Sequence, residues 1–275
     1  MAGQKRATGE RVIGAVIAAL FVCGFSTMAA PAHGQIVNVQ SLVGRAVQDG
    51  WTGNAALSGD WLAGNSRLRA GSATATQYWR GGPWLGLLTV AGAYGIKGSA
   101  TGWQETPFQQ KIFEHGRLRR QLSDHLSAEA FVQHEYDRWR RLELRALVGG
   151  GLRWDGHPID GLALAAGLSL MGQAEQLLSP KAGDPLGLVY ELRLSSYLSG
   201  ALELSKNAAV SATLYAQPQP MDPADIRGLV DVALQVAATP RWSLKLQHSL
   251  ALDSRPPIGV EGYDATTKAA LVAGW

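Results

Sequence analysis

The chain has 275 residues, with 25 Lys and Arg against 22 Asp and Glu, 33 glycines, 9 tryptophans and a single cysteine. One cysteine excludes a disulfide framework and a thiolate metal site. Beyond the N-terminal region no apolar run approaches the ~18 residues that a helical span needs, so a place in a membrane would have to be taken by strands.

Lys5, Arg6 and Arg11 precede an uncharged, mostly apolar run from Val12 to Phe25, and the small-residue stretch Met28-Ala-Ala-Pro-Ala-His-Gly34 follows. A basic head, an apolar run too short to span and an A-x-A-like site predict a secretory signal peptide over 1–34, cut after Gly34 or Ala32. Cys23 lies inside it, and the preceding Val22 is larger than the small residue that comes before a lipid-attachment cysteine. Without these residues the charge is 22 positive to 21 negative, so the overall charge does not argue for nucleic acid. A periplasmic segment is expected over 35–50 and a single strand-built domain over 51–275.

From residue 51 onward the hydrophobic period is two. The clearest case is 142–154, where Leu142, Leu144, Ala146, Val148, Gly150, Leu152 and Trp154 alternate with Glu143, Arg145, Leu147, Gly149, Gly151 and Arg153. Residues 162–175, 188–204 and 242–253 repeat the pattern, and only a strand sends successive side chains to opposite faces. Twelve strands are predicted near 51–63, 67–80, 84–96, 109–122, 126–137, 141–154, 161–175, 187–204, 208–217, 228–238, 241–253 and 264–275. Links after even-numbered strands are short. Those after odd-numbered strands are expected to include long loops at 98–108, 176–185, 217–227 and 254–263.

Short turns at one end and longer loops at the other fit a closed antiparallel up-and-down transmembrane β-barrel with both termini in the periplasm. A soluble β-sandwich would also alternate. Two features favour the barrel: apolar faces long enough for the ~9–11 residues of a tilted crossing strand, and aromatics near strand ends, namely Trp51, Trp61, Trp84, Tyr94, Trp154, Trp242 and Trp275. Closure leaves no unpaired strand edge in lipid. At the C-terminus Leu271, Ala273 and Trp275 share a face, resembling the assembly signal of outer-membrane barrels. The barrel-assembly machinery and outer-membrane lipid are therefore the expected partners.

If the apolar face meets lipid, the opposite face lines a lumen. Glu129, Glu135, Glu143, Arg145, Arg153, Glu191, Arg193, Asp231 and Lys245 are its expected lining residues, either as an ion-pair network that fills a narrow barrel or as the wall of a polar pore for small solutes. Both signs are present, so no strong ion selectivity is expected.

The run from Phe131 to Trp154, FVQHEYDRWRRLELRALVGGGLRW, is similar to the middle of the YdiY-like family of outer-membrane proteins described as salt-induced. Further fragments agree in order: 113–124, 195–198, 215–218 and 253–257. The resemblance implies an outer-membrane barrel with a periplasmic N-terminus, leaves the biochemical role undefined, and brings no catalytic residues.

Enzyme chemistry finds little support. His248-Ser249 and His134-Glu135 are adjacent pairs, which a strand sends to opposite faces, and G-x-S-x-G is absent. His115, His125, His134, His157 and His248 show no i, i+2 or i, i+4 pairing for a metal, and the run 149–151 lies inside a strand with no P-loop lysine. No cofactor and no catalytic site are expected. The sequence thus predicts a structural or solute-passing outer-membrane barrel, with a role in envelope response to salt or osmotic stress suggested by the resemblance. A loop-mediated adhesion barrel is the alternative, and a lipid-modifying enzyme comes after it.

Overall fold

The computed structural model describes residues 49–63, 67–99 and 102–275. The expected signal peptide and nearly all of the periplasmic segment lie outside the described residues. Twelve strands form: β1 (Gly50–Leu62), β2 (Arg67–Gly81), β3 (Trp84–Ser99), β4 (Gly102–Gln121), β5 (Leu126–Asp137), β6 (Leu142–Ile159), β7 (Leu162–Leu177), β8 (Leu188–Ser205), β9 (Ala208–Gln219), β10 (Asp222–Ala237), β11 (Trp242–Asp253) and β12 (Tyr263–Gly274). Each pairs antiparallel with its chain neighbours, and β1 meets β12 to close the barrel.

Alternation assigns the faces. Leu57, Leu88, Val132, Val148, Leu168, Leu198, Leu214 and Leu244 are all exposed, whereas Glu129, Arg145, Arg193 and Asp231 are buried. An exterior so apolar is stable only in a bilayer, and the ionic side chains therefore turn inward. Two polar pairs interrupt the exterior: His134 Nδ1 lies 3.3 Å from Glu114 Oε2, and His248 Nδ1 lies 2.8 Å from Thr267 Oγ1.

Exposed Trp51, Trp79, Trp84, Trp154, Trp242 and Trp275 ring the end that carries the termini, and exposed Trp61, Tyr94, Tyr190 and Tyr263 ring the other. Trp51 and Trp61 are ten residues apart on β1. At a rise of ~3.3 Å and a tilt of ~40° that separation is ~25 Å along the barrel axis, the height of a lipid-facing band.

Two expected long loops are instead hairpin strands. Ser99 pairs with Gly102, and Gln219 pairs with Asp222, so strand pairing runs on through the described residues around 98–108 and 217–227. Their polar, proline-containing composition reads as loop, yet strands that project past the bilayer need no apolar face. The mismatch is absorbed by register shifts at Gly95/Ile96, Lys97/Ser99 and Asp222/Ile226. Long loops do form at 178–187 and 254–262. They are tied together: Asp184 accepts from Ile258 N at 2.8 Å, Lys181 N at 2.7 Å and Arg141 Nη2 at 2.7 Å, while Arg141 Nη1 donates to Ile258 O at 2.9 Å.

Glycine shapes the interior at two places. A Cβ on Gly149 would stand 2.5 Å from the Phe131 ring, and one on Gly167 would stand 2.3 Å from the Tyr197 ring. Both rings lie flat across a neighbouring strand, which a bare backbone permits.

Candidate functional site: the charged lumen

Because every pair in the ladder keeps its face, inward residues from neighbouring strands stand side by side. Charge then accumulates where several strands each place an ion at the same height. Toward the end that carries the termini, Glu129 on β5 is the focus. It accepts from Arg117 Nη1 at 3.0 Å and from Tyr197 Oη at 3.1 and 3.2 Å, and Arg119 Nη2 stands 3.8 Å away. Arg153 donates to Tyr197 Oη at 3.2 Å and grips Asp155 with Nε and Nη2. The Arg117 guanidinium sits 5.0 Å over the Phe131 ring, and the His115 ring stacks between Phe113 and Phe131 at 6.3 and 6.0 Å.

Nearer the loop end a longer chain of ions runs around the wall. Lys111 on β4 is 2.8 Å from Glu135, and Arg145 lies 3.8 Å from Glu135 and 2.8 Å from Glu175. Arg227 on β10 then donates to Glu175 at 3.1 Å, Gln173 at 3.1 Å and Asp253 at 3.2 Å. Arg193 is held by Glu191 and Asp225, both at 2.9 Å.

Three of these contacts are chords, the third being Arg227–Gln173 beside Arg227–Glu175. Tyr197–Glu129 joins β8 to β5, and Arg227–Glu175 joins β10 to β7, each stepping over two intervening strands. They draw the β4–β11 side of the interior together. The opposite wall is different. The inward positions of β1, β2, β3 and β12 include Thr52, Asn54, Ala56, Ser58, Ser72, Thr74, Ala91, Ala93 and Ala270, all half-buried, together with buried Thr76, Tyr78 and Thr89 and exposed Asp60 and Lys268.

Of the residues expected in the lumen, Glu129, Glu135, Arg145, Arg153, Arg193 and Asp231 are buried and Glu191 and Lys245 half-buried. Asp231 accepts hydrogen bonds from Gln247 and Ser249. Glu143 lies elsewhere: a register shift between Leu142 and Leu144 buries Leu142 and leaves Glu143 exposed, where it accepts from Gln176 Nε2 at 3.0 Å. A bulge inverts the alternation locally, and sequence period alone does not reveal it. Sequence reasoning also missed Arg117, Tyr197, Asp225 and Arg227. Each falls on the inward parity of its strand, but, Arg117 apart, its importance depends on partners two or three strands away. Leu271 and Trp275 are exposed, Ala273 is half-buried, and Trp275 exchanges backbone hydrogen bonds with Gly53 at 2.9 and 3.0 Å.

No cluster of potential metal ligands occurs among the described residues. The described hydrogen bonds of His115, His125, His134 and His248 also include none that links a histidine to both a hydroxyl and a carboxylate.

An apolar exterior between two aromatic girdles and a polar, ion-paired interior define a bilayer-spanning barrel of the outer-membrane type. The chain belongs to a family described as a protein of unknown function, DUF481, whose profile matches residues 55–275. No curated protein matches it in sequence. Among solved structures it is similar to the COG4313 outer membrane channel from Pseudomonas putida F1, at 11% identity and TM-score 0.52 over 87% of this chain and 100% of that one. It also matches the NanC porin at 8% identity and TM-score 0.48, over 81% of this chain and 98% of that one. At these identities the likeness is one of fold.

Proposed function

We propose that the barrel is a non-enzymatic outer-membrane channel in which small polar solutes pass along the wall formed by β12, β1, β2 and β3. The ion network on the β4–β11 side acts as a fixed scaffold. The observation that carries this reading is the asymmetry of the interior: long, buried, mutually paired side chains on one side, and on the other mostly small Ala, Ser and Thr, with Tyr78 the large buried side chain near the end that carries the termini. Side chains that fill a lumen leave no route, whereas a wall of small residues keeps one.

Single-channel recording in planar bilayers tests it. Ala91→Trp and Thr74→Trp should cut conductance several-fold while heat-modifiable migration remains normal. A wild-type barrel that stays silent over long recordings, or unchanged conductance in both variants, would refute the passage. Weak selectivity is expected because Asp60 and Lys268 contribute opposite charges to this wall. Adaptation of the envelope to salt, suggested by the family resemblance, would follow from such a passage. The exposed C-terminal face of Leu271 and Trp275 supports recognition by the assembly machinery, and its test is membrane insertion after Trp275→Ala.

The alternative of a loop-mediated binding barrel draws on the Arg141–Asp184–Ile258 tie, which presents the two long loops as one fixed surface. It predicts partner binding that is lost in Asp184→Ala with conductance unchanged.

A further inference from the structure

The seam that closes the barrel is short. β1 pairs with β2 at thirteen positions, from Gly50 to Leu62, but with β12 only at Asn54–Gly274, Ala55–Ala273, Ala56–Val272 and Leu57–Leu271, next to the Gly53–Trp275 bonds. Beyond Leu57 the strand continues for five residues, and β12 begins eight residues before Leu271. Among the described residues these two stretches do not pair with each other.

Their height matters. Trp51 and Trp61 mark the two girdles on β1, and Leu57 lies six residues from Trp51. That is ~15 Å up the axis, the middle of the apolar band. The ladder therefore ends at mid-bilayer, and Trp61 and Tyr263 flank its continuation at the far interface. Separated strands are not tolerated in hydrocarbon unless the gap is occupied or watered from inside.

The borders of the gap are amphipathic. Toward the lumen stand Ser58, Asp60, Lys268 and Ala270; continuing the register would set Ser58 opposite Ala270 and Asp60 opposite Lys268. Lys268 is exposed although it lies mid-strand on the inward face, with Asp60 and Lys111 the charges that act on it. Toward lipid stand Leu57, Trp61, Ala269 and Leu271. Beside them His248 and Thr267 form a hydrogen-bonded pair on a surface that is otherwise mostly apolar.

We infer that the wall parts between β1 and β12 across the outer half of the bilayer, and that the gap is a side entrance for single-chain amphiphiles. The apolar chain would lie among Leu57, Trp61 and Leu271, and an anionic head would meet Lys268. If the lumen is a passage, this is its lateral mouth. Access from lipid can nevertheless be read whether or not the axial path conducts.

The test places a thiol-linked fluorophore at Ala270→Cys or Ser58→Cys in proteoliposomes, with Ala91→Cys as an inward reference two strands from the seam and Leu271→Cys as a lipid-facing one. Migration on gels confirms folding. Phospholipids brominated in their acyl chains should quench Ala270 and Ser58 several-fold more than Ala91 and nearly as much as Leu271. A brominated fatty acid added to ordinary vesicles should quench Ala270 saturably, and Lys268→Gln should weaken that effect several-fold. Quenching at both seam sites no greater than at Ala91 would show a closed wall and overturn the inference. Saturation indifferent to Lys268→Gln would overturn the assigned head-group contact.

Discussion

Arginine placed at successive outward positions of β6 should report the bilayer directly. Val148 is 61% exposed and lies six residues from Trp154 of the girdle, hence ~15 Å along the axis and at mid-membrane. Its ladder partners are Val132 and Gly172, so an arginine there finds no carboxylate on the adjoining strands. Val148→Arg should therefore cost ~2–4 kcal/mol. Leu152→Arg is only two residues from Trp154, ~5 Å from the interface, and its side chain can snorkel; Leu144→Arg is ten residues away, ~25 Å, at the opposite interface. Both should cost ~0–1 kcal/mol. Denaturant titration of folding into lipid vesicles measures all three. A flat series, or one that rises toward Leu144, would refute either the girdle assignment or the tilt.

Arg145→Ala removes the cation between Glu135 and Glu175 and should destabilise the barrel by ~3–5 kcal/mol. Glu143→Gln, at an exposed bulge, should be silent in the same titration. Gly167→Ala should displace the Tyr197 ring and break its bond to Glu129; Tyr197→Phe should match its loss of stability to within ~1 kcal/mol if that hydrogen bond is the main casualty. In the loops, hydrogen bonds from the Ile258 and Lys181 amides and from Arg141 hold the Asp184 carboxyl down to about 2, against 3.8 ordinarily. A depressed folded-state pKa contributes stability that is present above the unfolded value and is lost as pH falls through the folded one. The loop tie should thus hold above pH ~4 and open toward pH ~2, detected as acid-protease cleavage within 178–187, and Asp184→Asn should be cleaved at every pH. The lipid-facing Glu114–His134 pair should tolerate joint replacement by Leu with stability unchanged or raised, checked by the same vesicle titration.

Much of the architecture was legible because a membrane barrel exposes its hydrophobic code twice over. One face must be apolar for lipid and the other polar for the lumen, so a period of two assigned both the strands and their inward residues at Glu129, Arg145 and Arg193. The code fails where lipid is absent. Residues 102–108 and 222–227 are rich in polar residues and proline and read as loop, although they pair as strands. It fails again at bulges, where one extra residue sends Glu143 outward. The network itself was legible only as a collection of inward ions. Which of them meet depends on barrel curvature: Arg227 finds Glu175 from three strands away, a relation that no local spacing encodes.

Placing the long charged side chains on one side also explains how an ionic lumen can be stable. A buried guanidinium needs an acceptor for nearly every donor, and a single neighbouring strand supplies few of them. Arg227 meets three acceptors only because Glu175 and Gln173 reach it from across the interior while Asp253 stands beside it. Such chords shorten when side chains crowd together, which they can do on one side only if the other stays thin. The small residues of β1, β2, β3 and β12 are that thin side. Filling the wall with longer polar groups would hold the ions apart and return each to partial solvation. Scaffold and proposed passage are in this sense one arrangement: the pairing that consolidates the eight strands β4–β11 is helped by the mostly small inward residues of the other four, and it is along those four that the proposed passage runs.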